Sequence, residues 1–290
     1  MNLLLHFHLY TDMKMHSLST VIIIVLLLIA GGIFLANYND PYNDKGFVII
    51  PVVLAAVFYA FQGPIDHWWR EKYPREIDPK LKAWLVQYFQ PYLTLNDEDK
   101  KRFENRLTLY IEGRLFQGVG KDHKEMPYDI CGIIAAHGVL IGLWQKDYLI
   151  GEFDRIYTYK HPFPTPDHPY MHNVEVNTED GVIILSLEQL TNAILSPDEY
   201  YNIGFHAYAE AFIFAIKDII YPDVMDTWSD IERISGWDKE NILNQIGLKE
   251  VSLLPIHISL FLTKSAKYRE IRPDLYEKWL RIFPFSGTTN

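Results

Sequence analysis

Cysteine is almost absent from this chain. Its 290 residues contain a single one, Cys131. One thiol cannot close an internal disulfide, so no disulfide framework organises the fold. Cys131 stands in an apolar helical run and reads as a buried thiol, not a nucleophile. A basic excess is also missing. The formal net charge is -10, and no stripe of Lys and Arg interrupts the acidic balance. A nucleic-acid partner is therefore excluded as the expectation, because such proteins carry a basic footprint. There is no Gly-rich phosphate loop, no G-x-S-x-G elbow and no paired-carboxylate motif that can be placed. No internal repeat or low-complexity tract appears.

Long apolar runs are scarce too, but two stand near the N-terminus. Thr20 to Ala36 is uninterrupted by charge and approaches the ~20 residues of a spanning helix. A second run, Gly46 to Phe61, is shorter and contains Pro51. Between them lies a polar, turn-rich stretch, 37–45. The pair predicts a membrane hairpin over 1–65, with helices at about 18–37 and 46–62, then a juxtamembrane linker over 66–79. A cleaved signal peptide is disfavoured, because Phe34 and Leu35 do not match the small-x-small cleavage pattern. Arg70, Lys72, Arg75, Lys80 and Lys82 follow the second run, against Lys45 alone between the runs. The positive-inside rule then puts the following domain on the cytoplasmic side, with Trp68 and Trp69 as interfacial anchors. Met13 or Met15 could replace Met1 as the start without altering the first run.

From residue 80 onward the pattern is mixed and predicts an α+β domain, mostly helical with a small sheet. Lys80 to Tyr92 reads as an amphipathic helix. Asn96 and the acidic turn Asp97-Glu98-Asp99 open another that runs to about Glu112. Tyr128 to Gly142 reads as a buried helix, and 153–160 and 181–187 as strands. Ser196 as N-cap and Pro197 at the first position predict the start of a helix carrying His206. Further helices are expected over 238–246 and 251–264, with Pro255 in the first turn of the latter or breaking it.

The stretch Asn202-Ile203-Gly204-Phe205-His206-Ala207-Tyr208-Ala209-Glu210 has the outline of a zinc-peptidase helix whose chemistry is changed. In H-E-x-x-H, two imidazoles one turn apart bind zinc and the Glu takes a proton from the metal-bound water. Here His206 keeps the first position, Ala207 stands at the base position and Glu210 at the second His. The blocks around it strengthen the outline: Leu95–Phe103, Tyr110–Gly120, Ile130–His137, Arg155–Lys160, Gly181–Leu187, Phe261–Thr263 and Arg272–Tyr276. In order and spacing they resemble the Mlc titration factor A family of zinc-dependent peptidases, over roughly residues 80–285. The resemblance implies a zincin-like fold, zinc as cofactor, peptide-bond hydrolysis, and binding of a transcriptional repressor. It also implies a third ligand, a Glu. In the straightest alignment that position is Ser252, and a later Glu of the same helix falls on Ser259. Glu250 is the nearest carboxylate.

Two readings follow. His206, Glu210 and His257 are the residues left that could hold a metal. Alternatively His206 and Glu210 are a hydrogen-bonded polar pair in a former cleft, with no catalytic residue and no cofactor. The expected function is then that of a membrane-anchored, non-catalytic relative of a peptidase that binds a protein or peptide. The rival is an active zinc metallopeptidase with a rearranged site. A second His-rich stretch, His161, His168 and His172 with four prolines between 162 and 169, reads as an irregular exposed loop rather than a metal site.

Overall fold

The computed structural model describes residues 17–38, 45–120, 126–225 and 227–284. The three candidate start methionines and most of the predicted polar turn, 39–44, lie outside the described residues. The chain forms two compact units, Met1–Arg75 and Glu76–Asn290.

In the first unit, helix α1 covers Leu18–Ala36. Its 19 residues reach about 28 Å at 1.5 Å per residue, near the ~30 Å of a bilayer core. It is long and apolar enough to cross a membrane. Large side chains such as Leu28 and Leu35 are more than two-thirds exposed, as expected if lipid is their solvent. The second predicted spanning helix is corrected. A 3₁₀ turn, Lys45–Val48, leads into α2 (Ile49–Ala60), which stops after 12 residues. The chain then bends by 69° into α3 (Gln62–Lys72). Pro64 explains the break: it has no N–H to offer the Ala60 carbonyl one turn earlier. Residues 66–72, expected in a linker, belong to α3.

Helix α3 is tied to the start of α1. Asp66 accepts from the Ser19 backbone N–H at 2.9 Å, from Ser19 Oγ at 2.8 Å and from Ser17 Oγ at 2.6 Å. A carboxylate at this end satisfies an orphan donor and complements the helix dipole.

The second unit is α+β, mostly helical, around one four-stranded sheet. Helices α4 (Pro79–Tyr88) and α5 (Gln90–Leu93) replace the single predicted helix. They break at Phe89 because Pro91 cannot donate to the Gln87 carbonyl. Helix α6 (Asp97–Glu112) has the predicted Asn96 cap, whose side chain accepts from Asp99 N at 2.8 Å. Strand β1 (Leu115–Gly118) follows, then α7 (Tyr128–Ile141), β2 (Arg155–Tyr159), β3 (Val174–Asn177) and β4 (Val182–Ser186). The sheet order is β1-β2-β4-β3. β1, β2 and β4 are parallel, with Phe116 beside Ile156 and Ile156 beside Ile183; β3 runs antiparallel to β4.

Helix α8 (Leu187–Leu195) leaves β4 directly, capped by Ser186. The helix carrying His206 is α9 (Ile203–Ala215), and its N-cap is Asn202. This corrects the expectation for Ser196, which instead ends α8. The remaining helices are α10 (Trp228–Ser235), α11 (Lys239–Ile246), α12 (Leu253–Thr263), α13 (Ser265–Ile271) and α14 (Pro273–Ile282). Pro255 sits in the first turn of α12 without breaking it. Short helices that are apolar on every side belong in an interior. Accordingly α7, α9 and α12 form the centre of the unit, with α9 packed on α7, on α12 and on strands β3 and β4.

Candidate functional site

The site begins at the cap of α9. Asn202 Oδ1 accepts from Phe205 N at 2.9 Å, which starts the helix there. The same amide donates to His137 Nε2 at 3.3 Å. The His137 Nδ1–H is given to the Ile133 carbonyl at 2.9 Å, so the tautomer follows from its partners. Ser259 Oγ on α12 donates to the Asn202 carbonyl at 3.3 Å. One asparagine thus links α7, α9 and α12.

The α7–α9 contact is unusually close. A Cβ on Gly204 would stand 2.8 Å from His137 Cδ2 and from Leu190 Cδ1. One on Gly138 would stand 2.6 Å from the Tyr208 ring. Each helix therefore offers a glycine to a ring from the other. Gly138→Ala is expected to destabilise the unit by about 1–3 kcal/mol through overpacking, because Tyr208 is fully buried and cannot swing out. Chemical denaturation, followed by circular dichroism, measures this directly. A change within experimental error would mean that the helices can move apart at little cost.

His206 lies within this interior and is only 2% exposed. Its Nδ1 is hydrogen-bonded to the Tyr201 hydroxyl at 2.9 Å. With Tyr201 as donor, Nε2 carries the imidazole proton and faces Glu210 Oε2 at 4.0 Å, beyond hydrogen-bond range. Burial pushes His206 down to about 4, so it is neutral at pH 7. Glu210 stands at the rim, its side chain 43% exposed. Loss of water on its inner side pushes its carboxyl up to about 7. Burial, reinforced by the Glu210 charge, raises the Tyr201 phenol far above its usual range, against the opposing effect of the neighbouring Ser259 hydroxyl. Tyr201 therefore keeps its proton. Ala207, at the base position, is fully buried and brings only a methyl group.

His257 has different partners. Its Nε2 is 2.7 Å from Thr227 Oγ1 and its Nδ1 is 2.5 Å from the Tyr268 hydroxyl. Thr227 Oγ1 donates its proton to the Val224 carbonyl at 2.7 Å. A hydroxyl has one proton, so His257 Nε2 must be the donor to Thr227. Nδ1 is then an acceptor from Tyr268, whose oxygen accepts from Trp279 Nε1 at 2.8 Å. The order Trp279→Tyr268→His257→Thr227→Val224 uses every proton and leaves neither imidazole nitrogen over. Burial, with Arg272 adding to it and Asp230 opposing, holds His257 down to about 4.

The structure therefore brings His206 and Glu210 together and engages His257 elsewhere. Among the described residues, no three His, Cys, Asp or Glu side chains are grouped to hold a metal ion. The residues present do not fit the zinc that the resemblance implies, since a mononuclear site takes three protein ligands. Ser252 caps α12 without a side-chain hydrogen bond, and Glu250 is exposed just before it. On α12 the side chain that reaches the His206 neighbourhood is Ser259, through Tyr201 and Asn202. Tyr201, Asn202 and His137 were not singled out from sequence. The cap on Phe205 N and the Tyr201–His206 bond are local, whereas the Asn202–His137 bond joins two helices that no local spacing brings together.

The His-rich stretch is an irregular loop, as expected, but one isolated bridge closes it. Phe163 and His172 exchange backbone hydrogen bonds at 2.9 and 3.0 Å, and Tyr159 stacks on Phe163 at 4.5 Å. His172 is fully buried and bonded through Nε2 to Glu175 at 3.1 Å. His161 instead pairs with Glu188 at 2.7 Å, so the three imidazoles do not converge on one point.

Neither the family models nor the curated proteins include a match to this chain.

Proposed function

We propose that this chain is a membrane-anchored, non-catalytic relative of the zinc-dependent peptidases it resembles, which acts by binding a protein or peptide. The observation that carries this reading is the separation of the expected ligands. His206 and Glu210 share one helix face, while both nitrogens of His257 are held by Thr227 and Tyr268. Ala207 supplies no base, and a phenol such as Tyr208, with an ordinary pKa of about 10, is a poor substitute at neutral pH. A His206, Glu210, His257 peptidase would have to strip both hydroxyls from His257, and it would still lack a base.

The partner would be an extended segment at the sheet edge. Among the described residues β3 pairs only with β4, and an edge strand offers backbone groups to a peptide. The loop before β3 stands next to that edge, with Met171 60% exposed and Tyr170 under the Lys249 ammonium. By the resemblance, a transcriptional regulator is the kind of protein that would supply the segment. Helix α1 anchors the chain. The run of basic residues from Arg70 to Lys82 supports a cytoplasmic location for the unit that follows.

A mixed-peptide library read by mass spectrometry, with and without added zinc, tests the non-catalytic reading. No chelator-sensitive cleavage is expected. Cleavage that a chelator abolishes and that His206→Ala also abolishes would overturn it.

A further inference from the structure

We propose that the membrane unit carries a built site for one acyl chain of a bilayer phospholipid, between the first turns of α1 and helix α3. The inference rests on the anchoring reading above.

A concavity of about 580 Å³ opens in this unit. Leu18 and Ile22 of α1 form one wall. Val57, Phe61, Ile65 and Trp68, from α2, its break and α3, form the rest. All of its lining side chains are apolar. Its size lies inside the roughly 300–1,000 Å³ of small-molecule pockets. A concavity of this chemistry facing water would be costly, at about 25 cal/mol for each Å² of apolar surface left wet.

Three features say what fills it. The first is depth. Leu18 and Ile22 are the first turns of a helix long and apolar enough to span, so the concavity opens where hydrocarbon begins. The polar cluster Ser17, Ser19 and Asp66 marks the level just outside, with its hydrogen bonds satisfied internally. The second is permanence. The hydrogen bonds from Ser17 and Ser19 to Asp66 fasten α3, beyond the 69° bend, to the first turn of α1. They fix the spacing of the two walls. The third is the rim. Trp68 is 53% exposed, and Lys72 holds its ammonium 5.2 Å from the Trp68 ring centroid. An aromatic ring and a cation together suit the headgroup level, where a lipid phosphate lies. A free fatty tail from solution would not need that depth. A second copy of the chain would have to insert a helix into the same space.

The test uses the full chain, extracted from membranes in mild detergent and examined by native mass spectrometry. Val57→Trp, at a position already 47% exposed, fills the concavity without touching the Asp66 bonds. Resistance of each protein to alkaline extraction from the membrane is measured in the same preparations, which reads anchoring separately. The expected result is one phospholipid retained per wild-type chain, lost in Val57→Trp, with both proteins still anchored. Equal lipid retention by the two proteins, no retention by the wild type, or a wild-type dimer that Val57→Trp abolishes would each overturn the acyl site while leaving the anchor intact. Release of the wild type by alkaline extraction would overturn the anchor, and the acyl site with it.

Discussion

Between pH 7 and pH 5 the unit beginning at Glu76 is expected to lose a net 3–5 kcal/mol of stability, on the order of 1.4 kcal/mol per group per pH unit. His137, His206 and His257 are each pushed down to about 4 by burial, against about 6.5 for a free imidazole. Below pH 6.5 the unfolded chain takes up protons that the folded chain refuses. Stability is therefore complete above pH 6.5 and falls as pH drops toward 4. Glu210 works in the opposite sense. Its carboxyl, pushed up to about 7, binds a proton in the folded state before the unfolded chain does, so it returns stability as pH falls below 7. That return is partial, since the carboxyl is 43% exposed and partly screened by water. The remaining loss is a large fraction of the stability of many domains, about 5–15 kcal/mol. Denaturant midpoints at the two pH values measure it. A midpoint that does not move would mean that the three imidazoles gain their protons without unfolding.

The second large effect is expected from removing one oxygen. Tyr268→Phe leaves the Trp279 indole N–H without its acceptor and His257 Nδ1 without its donor. Both groups are buried, and an orphaned buried polar group costs about 1–3 kcal/mol. A loss of roughly 2–6 kcal/mol follows for the pair. Trp279→Phe alone should cost less through hydrogen bonding, because the Tyr268–His257 bond survives it. The double variant should cost clearly less than the sum, since both changes act on one chain of protons. Additive losses in such a cycle would show that the ordered network contributes nothing as a unit.

Much of the architecture was legible because local chemistry decided it. Asn96 followed by three acids marked the start of α6, and Glu112 ends it as expected. Strands β2 and β4 fall inside their predicted ranges because β-branched and aromatic residues cluster there. Two other strands, β1 and β3, are four residues each and lack a clear alternation. Ser196 failed as a predicted cap although its signals were sound. Asn202, six residues on, carries the same type of signal, and it reaches both Phe205 N and His137. Both apolar runs near the N-terminus were read as spanning helices, the second as the shorter. The second falls short of a spanning helix because α2 stops after 12 residues and the chain then bends by 69° at the break before Pro64.

The site was legible only as far as one helix extends. The spacing of four residues placed Glu210 on the His206 face, and the structure keeps them there. His257 was grouped with them because its side chain is a competent ligand. Its real partners come from α13 and from the residue just before α10, which sequence spacing does not place. Ser252 was assigned the third-ligand position by alignment, yet Ser259 is the α12 residue beside Tyr201 and Asn202.

The central claim is that the ligand set is broken, and zinc content tests it most directly. The full-length protein, purified and dialysed against a weak chelator, is measured by elemental analysis beside His206→Ala. Well below one equivalent of zinc is expected in both, because two side chains on one helix face do not complete the three-ligand site that tight binding needs. Near-stoichiometric zinc in the natural protein, lost in His206→Ala, would contradict it and restore a metal centre around His206 and Glu210.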